Sequence, residues 1–173
     1  MKSYKDLYIY YLNKFNQKGL GKRPLLDIFE YVLNLDSNKI QLSKFPSKTN
    51  IFKYYKISNI SKRVLNGYPL QYILKYSYFY GLKLYVNKNV LIPRDETEEL
   101  VKWVIDENKG ENLKILDLCS GSGCIGLALK YFNKSWDVEL IDISKKANKV
   151  AKTAGTDTAS SMKMMSATGV RLW

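Results

Sequence analysis

The residues best suited to chemistry form one run, Asp117-Leu118-Cys119-Ser120-Gly121-Ser122-Gly123-Cys124-Ile125-Gly126, with Asp142 as a later companion. The run lies where an apolar strand over residues 113–118 gives way to a helix carrying Ile125, Ala128, Leu129 and Phe132. Gly121 and Gly123 lack a Cβ, so the backbone can turn sharply and a ligand can approach it closely. The N–H groups at the start of the helix are expected to be free to hold a polar or anionic group. Asp142 ends the next strand, over residues 138–143, where a carboxylate can accept both hydroxyl hydrogens of a ribose.

Two ligand classes fit this turn. Gly121, Gly123 and Gly126 spell G-x-G-x-x-G, the dinucleotide pattern, which is weak evidence by itself. Asp117 converts it into D-x-x-x-G-x-G, an arrangement typical of S-adenosylmethionine sites, where no pyrophosphate has to be cradled. A dinucleotide fold also usually begins near the chain start, and here a long helical segment comes first. S-adenosylmethionine is therefore the favoured ligand. A ligand-free tight turn is disfavoured because one glycine would suffice for it.

Composition removes other classes. The 173 residues include no histidine, which excludes Ser-His-Asp and Cys-His nucleophile pairs, His-ligated zinc and a His general base. Cys119 and Cys124 are the only cysteines, too few for a four-cysteine centre, so no metal site is expected and a reducing compartment is. With 28 basic and 16 acidic residues the net charge is +12. That charge admits a nucleic-acid partner, which is not favoured because the lysines are scattered. The N-terminus carries no apolar signal core and no apolar run reaches membrane-spanning length, so a soluble, cytoplasmic monomer with no membrane partner is expected.

The elements that must position the run follow from periodicity. Tyr4, Leu7, Tyr8, Tyr11, Leu12 and Phe15 recur on one helical face, with Ser3 and Asp6 as a capping box and Gly19 as a stop. Pro24 opens a second helix with Leu25, Ile28, Phe29 and Val32 inside. A third helix starts after Pro46, carries Ile51, Tyr54, Ile57, Ile60 and Val64, and ends at Gly67. The tyrosine stripe reads as core rather than as a base-stacking platform. Leu82, Leu84 and Val86 alternate as a strand, Asn87-Lys88-Asn89 turns, and Val90-Leu91-Ile92 returns until Pro93. Asp95 or Thr97 caps a helix that closes at Gly110. Beyond it lies one βαβ unit, with Ser144 opening a further helix and the first strand buried on both faces.

At this point a family becomes recognisable. Gly67-Tyr68-Pro69-Leu70-Gln71-Tyr72-Ile73 resembles the G-x-P-x-Q-Y-I segment of release-factor glutamine methyltransferases, and Val90-Leu91-Ile92-Pro93-Arg94-Asp95-Glu96-Thr97-Glu98 resembles their V-L-I-P-R-P-E-T-E signature. Lys75 stands where the family usually has Gly, Asp95 where it has Pro, and Cys119 where many members have Gly. The resemblance implies an incomplete Rossmann-like α/β methyltransferase fold, preceded by a small all-α bundle and a β-hairpin. It divides the chain into a release-factor-docking bundle over 1–74, a hairpin linker over 75–94 and a partial methyltransferase domain over 95–152. It implies S-adenosyl-L-methionine as cofactor, with Cys119, Ser120, Gly121, Ser122 and Gly123 on its methionine part and Asp142 on its ribose. Residues 93–98 would help wall the pocket. The implied task is methylation of the glutamine side-chain amide in the Gly-Gly-Gln loop of peptide chain release factors.

The family takes its catalytic residues from an Asn-Pro-Pro-Tyr motif. This sequence has no Asn-Pro dipeptide and no Pro after Pro93, so it offers no catalytic residue. Residues 153–173 contain no Ile, Asn, Tyr or Phe and read as a non-family tail, as if the gene were truncated or frameshifted after about residue 152. A two-stranded parallel sheet with an open edge would leave residues 111–173 loose beside a folded bundle, and this copy inactive. The competing readings are a fragment of an N6-adenine-type nucleic-acid methyltransferase and a non-catalytic module that binds release factor or cofactor.

Overall fold

The computed structural model describes residues 3–109 and 112–156, and the backbone alone of residues 163–166. The chain divides into two compact units, Met1–Leu74 and Lys75–Trp173.

The first unit is helical. Helix α1 (Tyr4–Gln17) begins at a reciprocal capping box: the Asp6 N–H donates to Ser3 Oγ at 3.1 Å, and the Ser3 N–H donates to Asp6 Oδ2 at 3.0 Å. Its inner face is Tyr4, Leu7, Tyr11 and Phe15. Helix α2 (Arg23–Leu33), with Pro24 in its first turn, buries Leu25, Leu26, Ile28 and Phe29. A short helix α3 (Ser37–Gln41), capped by Asp36, escaped the sequence reading because five residues carry no periodicity. Helix α4 (Ile51–Leu65) is capped by Asn50, and the Tyr4 hydroxyl both donates to the Asn50 carbonyl and accepts from its N–H. The Tyr11 hydroxyl meets Ser58 Oγ at 2.6 Å. The tyrosines inside are therefore core residues whose polar tips are satisfied locally. Gly67, at φ +85°, ends α4, with the Tyr68 N–H returning to the Arg63 carbonyl. Helix α5 (Leu70–Leu74) follows.

The second unit opens with an antiparallel hairpin, β1 (Tyr76–Phe79) and β2 (Leu82–Tyr85), in the register Phe79↔Leu82. The turn therefore lies upstream of the one expected. Tyr80 and Gly81 both have positive φ, the geometry that matches the twist of a two-residue hairpin loop. Residues 87–92 form no strand. The Asn89 N–H bonds the Asn87 side chain and the Val90 N–H bonds the Asn87 carbonyl, so local bonds replace a ladder. Helix α6 (Glu96–Glu107) starts at Asp95, but neither the expected Asp95 cap nor a Thr97 cap forms. Asp95 already has helical φ and ψ, and Thr97 lies inside the helix. Glu96, Glu98 and Glu99 suit the dipole of that first turn instead. The expected stop at Gly110 lies outside the described residues.

Next come β3 (Lys114–Leu118), α7 (Cys124–Phe132), β4 (Asp137–Asp142), α8 (Lys145–Thr156) and β5 (Lys163–Ser166), with a parallel sheet in the order β3-β4-β5. The described sheet thus has three strands where two were expected, and residue 152 falls inside α8. Trp136, Val138, Leu140 and Leu127 form the core with Phe79 and Leu84 of the hairpin, Val101 of α6 and Ala151 of α8. The expectation that β3 is buried on both faces fails. Ile115 joins the core, but Leu116 and Leu118 are 52% and 61% exposed, so among the described residues one face of β3 is covered. Among the described residues no helix is long and apolar enough to cross a membrane.

Candidate functional site

Strands β3 and β4 run parallel with Leu118 opposite Ile141, so their carboxyl ends emerge side by side. That edge is where ligands bind in open α/β sheets. The turn after β3 is built from alternating left-handed residues: Cys119 at φ +59°, Gly121 at +55° and Gly123 at +78°. Cys119 and Lys75 (φ +68°), which stand where the sequence resemblance leads glycine to be expected, thus lie in backbone that glycine adopts without a steric cost.

Each of the three glycines has its own reason. A Cβ on Gly123 would lie 2.8 Å from Leu140 Cδ2 and 2.9 Å from Ala151 Cβ, so glycine lets α7 close onto β4 and α8. A Cβ on Gly126 would stand 3.1 Å from Asp117 Oδ2 and from Leu140 Cγ. At Gly121 an added Cβ would meet only the Cys119 carbonyl, at 3.9 Å. Its backbone angle, rather than crowding, favours glycine, and that side of the turn is open.

Hydrogen bonding occupies one of the N–H groups expected to be free at the helix start, that of Gly126, and also those of Gly121 and Gly123 in the turn before it. The Gly121 N–H donates to Asp142 Oδ2 at 2.8 Å, the Gly123 N–H to the Ser120 carbonyl at 2.7 Å, and the Gly126 N–H to Asp117 Oδ2 at 3.0 Å. Two carboxylates therefore tie the turn to the strand ends. Asp142 also accepts the Ser144 N–H through Oδ1 at 2.7 Å, so each of its oxygens holds one backbone donor. Ser144 then caps α8 by accepting the Ala147 N–H, while Asn148 Nδ2 donates to the Asp142 carbonyl. Asn148 was missed by the sequence reading. Its signal was position, one helical turn beyond the cap at Ser144.

Burial sets the electrostatics. Burial raises the Asp117 pKa above the carboxylate norm; the Gly126 N–H opposes this and the nearby charge of Asp142 adds to it. Burial also raises the Cys124 pKa, with a Ser122 hydrogen bond opposing, which keeps that side chain a thiol. Cys119 is exposed. Ser120 and Ser122 are buried, and among the described residues Ser120 Oγ has no hydrogen-bond partner. Such an orphan is costly inside a fold and suits a site that receives a polar group from outside. The structure therefore places Cys119, Ser120, Gly121, Ser122 and Gly123 in one turn, and Asp142, at the end of β4, is bonded to it through the Gly121 N–H. In the 93–98 segment, Glu98 accepts the Tyr80 N–H at 2.6 Å and so fastens the hairpin turn to α6. Among the described residues no cluster of His, Cys, Asp and Glu could hold a metal.

Residues 95–171 match the family model described as Methyltransferase small domain. The release factor glutamine methyltransferase of Mycoplasma mycoides subsp. mycoides is 41% identical over 143 residues, covering 81% of this chain and 50% of that protein. That of Leptospira interrogans is 52% identical over 85 residues, covering 48% of this chain and 30% of its own. A probable mitochondrial N(5)-glutamine methyltransferase of Schizosaccharomyces pombe is 48% identical over 101 residues, covering 56% and 33%. The chain thus spans half or less of the length of these curated relatives. Among solved structures, a Pyrococcus abyssi tRNA (uracil-54, C5)-methyltransferase in complex with S-adenosyl-L-homocysteine matches with TM-score 0.45 and 20% identity, covering 54% of this chain and 23% of that one.

Proposed function

We propose that the chain is part of a release factor glutamine methyltransferase, a reading supported by 41% identity to the Mycoplasma mycoides enzyme over 143 residues, and that its second unit holds S-adenosylmethionine at the β3 and β4 ends. The methyl donor of such enzymes supplies an electrophilic methyl group on a sulfonium; the residues of this chain supply its seat. Cys119, Ser120, Gly121, Ser122 and Gly123 face the methionine part, and Asp142 accepts the ribose hydroxyls. A carboxylate has about four lone-pair sites. The two backbone donors on Asp142 therefore leave capacity for the ribose while fixing the carboxylate in advance. The observation that carries this reading is that clamp, beside the buried and unsatisfied Ser120 hydroxyl.

The substrate under this proposal is the glutamine side-chain amide in the Gly-Gly-Gln loop of a peptide chain release factor, with the helical unit docking the protein. An amide nitrogen is a poor nucleophile because its lone pair is delocalised into the carbonyl. Methylating it requires acceptors that hold the NH2 in line with the methyl group, an orientation effect. The family draws these acceptors from Asn-Pro-Pro-Tyr, and no Asn-Pro dipeptide occurs within residues 1–173. The role proposed for these residues is therefore to bind cofactor and substrate, with no catalytic residue among them.

Calorimetric titration with S-adenosylhomocysteine, followed by incubation with radiolabelled S-adenosylmethionine plus release factor or ribosomal RNA, tests the reading. Cofactor binding without label transfer by residues 1–173 is expected. Label in ribosomal RNA would overturn the substrate assignment, and absence of cofactor binding would overturn the site.

A further inference from the structure

Charge is carried unevenly along the chain. Residues 1–74 hold 13 Lys and Arg against 4 Asp and Glu, a net +9, while the remaining residues hold 15 against 12, a net +3. The scattered appearance of the lysines in the sequence hides this asymmetry, and folding arranges part of it into a stripe. Tyr55, Asn59 and Arg63 follow one another at i, i+4 and i+8 on α4, and Lys56 lies beside them. Such spacing places side chains on one helical face. They line a surface hollow of about 460 Å³ with Tyr31 of α2.

Cations and exposed aromatic rings alternate along it. Lys56 Nζ sits 4.8 Å from the centroid of the Tyr31 ring, and the Arg63 guanidinium 4.3 Å from that of Tyr68. Tyr31, Tyr55 and Tyr68 are 42%, 65% and 38% exposed. Unlike the core rings of Tyr4 and Tyr11, these three keep part of their surface open to solvent, though Tyr55 also packs edge-on against Tyr54 and Tyr68 against Tyr72. Among the described residues neither Lys56 nor Arg63 is ion-paired, and Glu30 is the carboxylate that adjoins Tyr31 in sequence. From Tyr55 to Arg63 the stripe runs about 12 Å along the helix, long enough for a few extended nucleotides.

We propose that this cation–aromatic stripe of the helical unit, Tyr31, Tyr55, Lys56, Arg63 and Tyr68, binds single-stranded nucleic acid. Phosphates neutralise Lys56 and Arg63, and bases stack on the exposed tyrosines. Charge alone would serve an acidic protein equally well. The interleaved rings favour a nucleic acid, because every base presents a π-face to a ring and a carboxylate presents none. The proposal uses no residue of the glycine turn, so its failure leaves the cofactor reading standing.

Fluorescence anisotropy of the full chain with labelled oligouridylate, oligothymidylate and a polyglutamate peptide tests it. Binding of either oligonucleotide, weakened by added salt, is expected, and any preference between the two identifies RNA or DNA as the source. Tyr55→Ala should weaken binding by at least about fivefold. Lys56→Gln should lower the salt slope by about one phosphate contact. Arg63→Lys, which keeps the charge and loses the planar fork, should weaken binding too, whereas Lys39→Gln, outside the stripe, should not. Circular dichroism confirms that each variant keeps its helices. Equal affinity for polyglutamate, unchanged affinity of folded Tyr55→Ala, or no oligonucleotide binding would each overturn the proposal.

Discussion

In the helical unit, Leu25, Ile28 and Phe29 are fully enclosed, and the hydroxyls of Tyr4 and Tyr11 find partners within the same bundle. In the second unit, Trp136, Leu140 and Leu84 are as deeply buried, yet Leu116 and Leu118 of β3, the strand beside that of Leu140, stand more than half exposed. The difference is one of layers. Helices that each bury a stripe can close a core among themselves, whereas a parallel sheet needs cover on both faces. Among the described residues the glycine turn is therefore held by a core gathered on one side of the sheet, supplemented by two carboxylate ties.

This contrast can be broken by substitution, read segment by segment through amide exchange. Phe29→Ala should cost about 3–5 kcal/mol, through lost burial and the cavity left behind. The loss should appear in α1, α2 and α4, with α7 and β4 unchanged. Gly123→Ala should cost about 2–4 kcal/mol, combining a strained positive φ with overpacking against Leu140 and Ala151. Its effect should appear in α7, β4 and α8. Equal loosening of the helical unit by Gly123→Ala would contradict a separation into two stability units.

Smaller changes sharpen the picture of the turn. Cys119→Gly should stabilise the second unit by about 1 kcal/mol, because it removes a side chain from left-handed backbone. A measured loss would mean that the Cys119 side chain makes contacts that outweigh its backbone. Asp117 gives the smallest effect, visible in its pH dependence. Its folded pKa lies above the ordinary 3.8, so the folded state holds the proton longer. Its penalty is absent at low pH and grows as pH rises from the ordinary value through the folded one. Asp117→Asn, which keeps an acceptor for the Gly126 N–H, should flatten that part of the stability curve. An unchanged curve would show that the Asp117 burial is not felt.

Much of this was legible in the residues, for identifiable reasons. The Ser3–Asp6 capping box, the buried faces of α1 and α2, Ile57, Ile60 and Val64 of α4, and the strand–turn–helix around Gly121 all rest on local spacing that the fold leaves intact, whereas Ile51, in the first turn of α4, is exposed. The hairpin was misplaced because Asn87-Lys88-Asn89 looks like a turn, while Tyr80-Gly81 hides its positive φ behind a tyrosine. The short helices α3 and α5 lack the length for periodicity, and β5 lies in a stretch whose composition shows no alternation. In the site, the residue types were readable, but their bonding was not. Whether the glycine N–H groups face a ligand or the carboxylates of Asp117 and Asp142 depends on β3 and β4 ending side by side, a long-range fact. The exposure of Leu116 is equally long-range, since an apolar strand reads the same whether or not a layer covers it.

The central claim is that the turn between β3 and α7, clamped by Asp142, is a cofactor seat. Titration calorimetry of S-adenosylhomocysteine into the wild-type chain and into Asp142→Ala tests it most directly, with amide exchange confirming that the variant keeps β3, β4 and α7. The account predicts saturable binding to the wild type and at least about a tenfold loss in the variant, the value of one or more charge-assisted hydrogen bonds. Equal affinity in the two proteins, or no heat of binding from a folded wild-type chain, would contradict it.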